Sequence, residues 1–260
     1  MSAFEGSTSE LFRVGDGIVL KQPRVILRAS KLYDNLTRGI DTSFSVEQQI
    51  LEILDHPRIV RYLGRNNGQG DPRGILLAEA NHGNLQRYLD EHSKIPMSVR
   101  KSWCLQAVEA IAYIHHRGVI HSDLRPENFL IHATTPGTLD MLLCDFGGST
   151  CDRLGLDGGH LPDPGFYDPN SGAESTHQTD IFSIASVLYV ILTGHWPYRG
   201  PGPFKTGKEM EDYGLEVDDL FERGRFPDVD GLFAGEVILK CWRNEYASAD
   251  DVLDDVRKLM

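Results

Sequence analysis

The sequence predicts an α+β chain in which short strands come first and helices follow. Three observations carry this. Residues 4 to 27 hold two short strand-like runs, LFRV and IVLK, on either side of Gly15-Asp16-Gly17, a turn signal that predicts a hairpin with Lys21 at its end. Gly74 to Leu89, GILLAEANHGNLQRYL, reads as an apolar strand, a polar break and a helix start. Beyond it, apolar residues recur at helical spacing. Trp103, Ala107, Ala110, Ile111 and Ile114 make one stripe within Ser98 to Arg117, Ile181 to Leu192 suits a buried helix, and further helices are expected at 209–223, 232–243 and 248–259.

One helix falls within the strand-rich part. From Ser45 the text SVEQQILEILDHPRIVRYLG places apolar residues at 46, 50, 51, 53 and 54 behind a serine cap, which predicts an amphipathic helix ended by His56-Pro57. Residues 22 to 43 carry no pattern that assigns them to an element. Near the end of the long helix, His115 and His116 suit a helix C-terminus as cations and need no metal to explain them.

Composition narrows the function classes. An apolar share of 40% over 260 residues supports a packed core, with no internal repeat or low-complexity tract. The N-terminal MSAFEGSTSELFRV lacks the cationic start and apolar run of a secretory signal, and Ile181 to Leu192 is too short to span a bilayer. A cytoplasmic protein with no membrane partner is expected. Cys104, Cys144, Cys151 and Cys241 are widely spaced without a C-x-x-C pair, so neither a zinc site nor a disulfide framework is indicated. The net charge of −12 argues against nucleic acid as a main partner and mildly favours basic ones.

The chemistry concentrates between Val119 and Gly148. A carboxylate (Asp123), a cation (Arg125) and an amide (Asn128) lie within six residues, and a second carboxylate (Asp145) follows, with Phe146 and two glycines behind it. These are the parts needed to orient a hydroxyl and to hold a metal on phosphates. HSDLRPEN followed by DFGG closely resembles the catalytic loop and magnesium loop of eukaryotic protein kinases, whose patterns are H-R-D-L-x-x-x-N and D-F-G. At about 5% usage per residue type, the letters His121, Asp123, Leu124, Pro126, Glu127 and Asn128 coincide by chance at roughly one in ten million positions or fewer.

That resemblance extends over nearly the whole chain and implies a bilobal α+β fold, a small antiparallel β lobe with one helix (1–80) and a larger, mainly α lobe (81–260). Phe4 to Leu11 falls on the kinase glycine-rich loop, with only Gly6 kept as glycine, and Leu11 falls near its end. Lys21 stands where the V-A-I-K lysine does, and Glu47 where its glutamate partner does. From the residues alone, Lys21 also reads as an exposed strand-end lysine and Glu47 as a solvated helix glutamate. Ala78, Glu79, Ala80 and Asn81 resemble the hinge that offers backbone groups to an adenine, with Ala78 smaller than the family's usual side chain. By the match, Asp123 orients the acceptor hydroxyl, Arg125 neutralises the γ-phosphate, Asn128 and Asp145 hold Mg²⁺, and Lys21 grips the ATP phosphates. The implied reaction is phosphoryl transfer from ATP to Ser or Thr of a protein substrate, favoured to be basic by charge. The wording FPDV, C-W-x-x-E-Y and DIFSIAS resembles divergent fungal kinase-like proteins.

Several positions depart from the pattern. The glycine loop is degraded and the chain opens at its position, implying a curtailed first strand; this favours the alternative of a pseudokinase scaffold. Tyr167-Asp168-Pro169 stands near A-P-E, and Tyr246-Ala247 where R-P is expected, so one glutamate–arginine pair is expected to be lost as a unit. Gly202 to Lys208 has P-loop spacing, but Glu209 replaces the required Ser or Thr. Ser122 replaces the arginine of H-R-D, the cation that would bind a phosphorylated activation segment within Ser149 to Pro169. Activity is therefore expected to survive phosphatase treatment; loss of most of it would refute this reading of Ser122.

Overall fold

The computed structural model describes residues 4–5, 8–26, 32–66, 74–135 and 137–260. Its first part is one antiparallel sheet of five strands, β1 (Phe4–Glu5), β2 (Ser9–Gly15), β3 (Ile18–Pro23), β4 (Tyr62–Asn66) and β5 (Gly74–Ala78), in the order β1-β2-β3-β5-β4. The expected hairpin is present. Gly17 takes φ 71° at the turn, a conformation open to glycine, and the register sets Leu11 opposite Lys21.

The helix beside this sheet, α1 (Tyr33–Leu51), starts well before Ser45, which is an interior helical residue and not its cap. The unassigned stretch 22–43 thus holds the end of β3 and the first turns of α1. Those turns were illegible because only Ile40 among them is buried: Asp34, Asn35, Arg38 and Asp41 face solvent, and without an apolar stripe there is no period to detect. The helix also stops at Leu51, short of His56-Pro57, and a turn at Glu52 and Ile53 delivers Leu54 back into the core.

The larger part contains α2 (Leu85–Glu91), α3 (Met97–His116), the hairpin β6 (Phe129–Thr135) and β7 (Thr138–Leu143), the short pair β8 (Thr150–Cys151) and β9 (Leu156–Asp157), and then α4 (His177–Thr193), α5 (Gly207–Glu222), α6 (Gly235–Trp242) and α7 (Ala249–Lys258). Every residue of α4 from Thr179 to Leu192 is buried, with α3 and α6 packed on it and α7 on α3. The α3 stripe read from the sequence is the buried face. The P-loop-like stretch is a helix entry: Thr206 caps α5 by accepting the Glu209 N–H at 3.1 Å. All four cysteines are free thiols, and among the described residues no helix is long and apolar enough to cross a membrane. The two lobes meet through backbone hydrogen bonds from Val60 N–H to the Leu143 carbonyl, and from the Leu143 N–H to the Arg58 carbonyl.

The carboxylate at 168 is not lost. Asp168 is buried and accepts from Asn244 Nδ2 and from the Asn170 N–H, both at 2.9 Å, so an amide stands in for the expected cation. Tyr246 instead donates its hydroxyl to Asp255 at 2.8 Å.

Within the apolar α4, Asp180 is fully buried and accepts the N–H groups of His121 (2.7 Å) and Ser122 (3.0 Å), with His115 Nε2 also 3.0 Å away. The residue that looked like a helix-end cation thus orients a buried carboxylate, which in turn fixes the turn before Asp123, including Ser122 at φ 67°. Asp180→Ala would strand two buried N–H donors, at about 1–3 kcal/mol each. The expected result is a loss of about 2–5 kcal/mol in urea unfolding; a change below about 1 kcal/mol would remove Asp180 as the anchor.

Candidate active site

Lys21 lies on β3 with its ammonium buried, 2.7 Å from Glu47 Oε2 on α1 and 2.8 Å from Asp145 Oδ1. The exposed readings of Lys21 and Glu47 therefore do not hold, since both are more than nine-tenths buried. Burial alone would strip the lysine of its proton, but the two facing carboxylates outweigh it and hold its pKa above the ordinary value. Burial pushes the Glu47 carboxyl up, offset only in part by Lys21 and by a hydrogen bond donated from the Phe146 N–H. Lys21 holds Asp145 below the usual carboxylate range, against its burial. Asp145 sits at φ 64°, ψ 69°, which turns its side chain toward the cleft, still 44% exposed, while Phe146 is fully buried against the His121 ring.

Asp123 and Asn128 are on the loop between α3 and β6. Asn128 Nδ2 donates to the Asp123 carbonyl at 2.7 Å and to its Oδ2 at 2.8 Å, which leaves Oδ1, a buried acceptor, without a hydrogen bond. His160 Nε2 lies 3.4 Å from it, and this contact pushes the His160 imidazole above its ordinary pKa, against its partial burial. Arg125, expected to face a γ-phosphate, is held by this chain: its Nε donates to Glu127 at 2.9 Å and its Nη1 makes a close ion pair with Asp163. Burial works against its charge, but those carboxylates keep it firmly protonated.

On the opposite wall, Leu11 and Ala78 are half-buried. The Glu79 N–H donates to the Gly17 carbonyl at 2.8 Å, so this residue keeps only its carbonyl for a ligand; its carboxylate is paired with Arg13. Asn81 uses its side-chain oxygen to accept the Ala133 N–H at 2.8 Å. Gly6 lies outside the described residues. Sequence reasoning did not single out His160, Asp163 or the anchoring role of Asp180. Asp180 left a signal, a lone carboxylate opening an apolar helix; the other two reach the site through a loop without periodicity.

Asn128 spends its NH₂ on Asp123 and keeps its Oδ1, while Asp145 keeps an exposed carboxylate. One amide oxygen and one carboxylate suit Mg²⁺, which is bound through one or two carboxylates plus substrate phosphates and not by an all-protein cage. Among the described residues there is no cluster of three or more His, Cys, Asp or Glu that could hold a metal ion. These residues fit a magnesium nucleotide.

Removing Lys21 would leave Glu47 a buried, uncompensated charge. Lys21→Met is expected to cost about 3–5 kcal/mol, and adding Glu47→Leu to recover most of that loss. A denaturant-unfolding cycle in which the double variant is no more stable than Lys21→Met would show that the two residues are not coupled.

The profile of the family described as Protein kinase domain matches residues 24–219, which include Glu47, Asp123, Arg125, Asn128 and Asp145, whereas Lys21 precedes the matched span. Cell division control protein 7 of Schizosaccharomyces pombe is 30% identical over 173 residues, 65% of this chain but 16% of that protein. Serine/threonine-protein kinase pkn2 of Myxococcus xanthus is 29% identical over 178 residues, 64% of this chain and 20% of that protein. The chain thus spans a minor part of these relatives. In fold, a crystal structure of the Rad53 kinase domain and SCD2 superposes with a TM-score of 0.62 at 22% identity, covering 95% of this chain and 87% of the other. With more than half of its length matched by that family profile, the chain belongs to the protein kinase family.

Proposed function

We propose that this chain is a Mg-ATP-dependent protein kinase acting on Ser or Thr hydroxyls, with residues 1–80 forming the nucleotide side and 81–260 the acceptor side. The observation that carries this is the Lys21 ammonium held between Glu47 and Asp145, because a lysine so charged and so fixed is placed to grip phosphates without reorganisation. Asn128 and Asp145 would hold the metal, which when bound supplies charge neutralisation on the phosphates. Asp123 Oδ1, the buried acceptor left over by Asn128, is the atom that would orient an acceptor hydroxyl and receive its proton. Glu79 would offer its carbonyl, and Asn81 its N–H, to the adenine edge.

Pro126 and Glu127 in the catalytic loop favour Ser or Thr over Tyr as acceptor, and the net charge of −12 favours basic substrates. Ser122 in place of arginine makes the activation-segment phosphate dispensable.

The test is radiolabel transfer to a degenerate Ser/Thr peptide library with and without Mg²⁺. Asp123→Ala and Asp145→Ala are each expected to lower transfer by at least about 100-fold in a chain that remains folded, Asp145→Ala with a lowered unfolding midpoint because it takes one carboxylate from buried Lys21. Unchanged turnover in either variant would sink the assignment. A parent chain that transfers no label and binds no ATP would be the pseudokinase scaffold instead.

A further inference from the structure

The C-terminal ends of α5 and α6, with the segment that precedes α4, enclose a cavity of about 320 Å³ that shares no residue with the candidate active site. Phe221 and Trp242 are buried in its wall and Phe226 is half-buried there, its ring stacked on the indole at a centroid distance of 5.6 Å. Asp168, only 7% exposed, lines the same cavity. Its two carboxylate oxygens are met by neutral donors alone: Oδ1 accepts the Asn170 N–H and Oδ2 accepts from Asn244 Nδ2, both at 2.9 Å. The Asn244 oxygen is taken by Gln178 Nε2 at 3.0 Å, which keeps the amide's NH₂ toward Asp168. Among the described residues no cation pairs with this carboxylate. Arg243, the one cation among the lining residues, is exposed and makes no ion pair with it. Tyr246, where the family pattern has arginine, turns its hydroxyl to Asp255 instead, at 2.8 Å. A carboxylate has about four acceptor sites, of which two are used here, and a buried charge held by neutral donors is only partly compensated.

We propose that this cavity is a docking site for an arginine side chain of a protein partner, whose guanidinium supplies the cation that Asp168 lacks. The proposal does not rest on the phosphoryl-transfer reading. A guanidinium fits both halves of the lining: its plane stacks on aromatic faces, and its fork of N–H groups can serve the acceptor sites still free on one carboxylate. An ammonium is more strongly hydrated and lacks the fork, so lysine is the poorer occupant. The volume lies at the low end of ligand pockets, about 300–1,000 Å³, and suits one side chain. Glu222, Gly224, Arg243 and Asn244 at the rim are exposed, so a side chain can reach in from a main chain that stays on the surface. The net charge of −12, with Glu222 at the rim, favours the approach of a basic segment.

The chain has three tryptophans, and the indole N–H signals of Trp103, Trp196 and Trp242 can be followed together by NMR in the full ¹⁵N-labelled protein. It is titrated with a short peptide of one arginine flanked by glycines, and with the same peptide carrying citrulline, which keeps the shape without the charge, or lysine. The arginine peptide is expected to shift the Trp242 signal saturably and to leave Trp103 and Trp196 in place. The citrulline peptide is expected to bind at least about tenfold more weakly, the weight of a hydrogen bond to a charged group, and the lysine peptide more weakly than the arginine one. Asp168→Asn is expected to weaken the arginine peptide by the same factor. If that variant fails to fold, the comparison of peptides in the parent decides by itself, together with Arg243→Ala, an exposed substitution that should leave the shift in place or enlarge it. No saturable Trp242 shift, equal binding of the citrulline or lysine peptide, or loss of the shift in Arg243→Ala overturns the proposal. Agmatine, a free guanidine, tests the source: binding of agmatine without binding of the peptide would refute the protein partner.

Discussion

One ammonium group ties three elements of the small lobe and the cleft together. Lys21 comes from a strand, Glu47 from a helix and Asp145 from a turn of the other lobe, and each contact is within 2.8 Å. Two carboxylates cannot face each other this closely without a cation between them, and a buried lysine cannot stay charged without carboxylates. The position of α1 against the sheet is therefore conditional on charge as well as on packing. The Phe146 N–H on Glu47 and the close approach of Gly147 to Ser43 extend the same lock to the turn that carries Asp145.

The larger lobe supplies rigidity of a different kind. Its central helix α4 is apolar and buried almost throughout, and the single carboxylate it carries inward, Asp180, binds the backbone that precedes Asp123. The loop that carries Asp123 is thus hung from the core by hydrogen bonds to its main chain. This arrangement asks nothing of residue 122 except that it tolerate φ 67°, and a small buried serine does so where a bulky β-branched residue would be strained.

Elsewhere the chain meets a buried or half-buried charge with whatever partner lies at hand. Asp168 takes the amide of Asn244, and Arg125 takes Glu127 and Asp163. Lone buried charges cost several kcal/mol, so a substitution at one end of an ion pair forces a partner to be recruited from another element. In the cleft this sets Asp163 on Arg125, and His160 beside Asp123.

The sequence made legible the class of fold, the hairpin and the long buried helices, and it pointed to Asp123, Asn128 and Asp145, because each rests on short-range information: turn chemistry, helical period, or a motif of fixed spacing. It also pointed to Lys21 and Glu47 but left both with a solvent-exposed alternative. Their burial together comes from packing α1 on the sheet, which no local pattern encodes. The first turns of α1 were illegible because they are polar and solvated, and the donor to Asp168 was illegible because Asn244 is 76 positions away. His160 and Asp163 reach Asp123 and Arg125 only because Gly148 and Gly158 permit two backbone segments to touch. Spacing along a chain records which chemistry is available; which charges neutralise one another is decided by burial, since only in a site shielded from water is an unpaired charge costly enough to choose its partner.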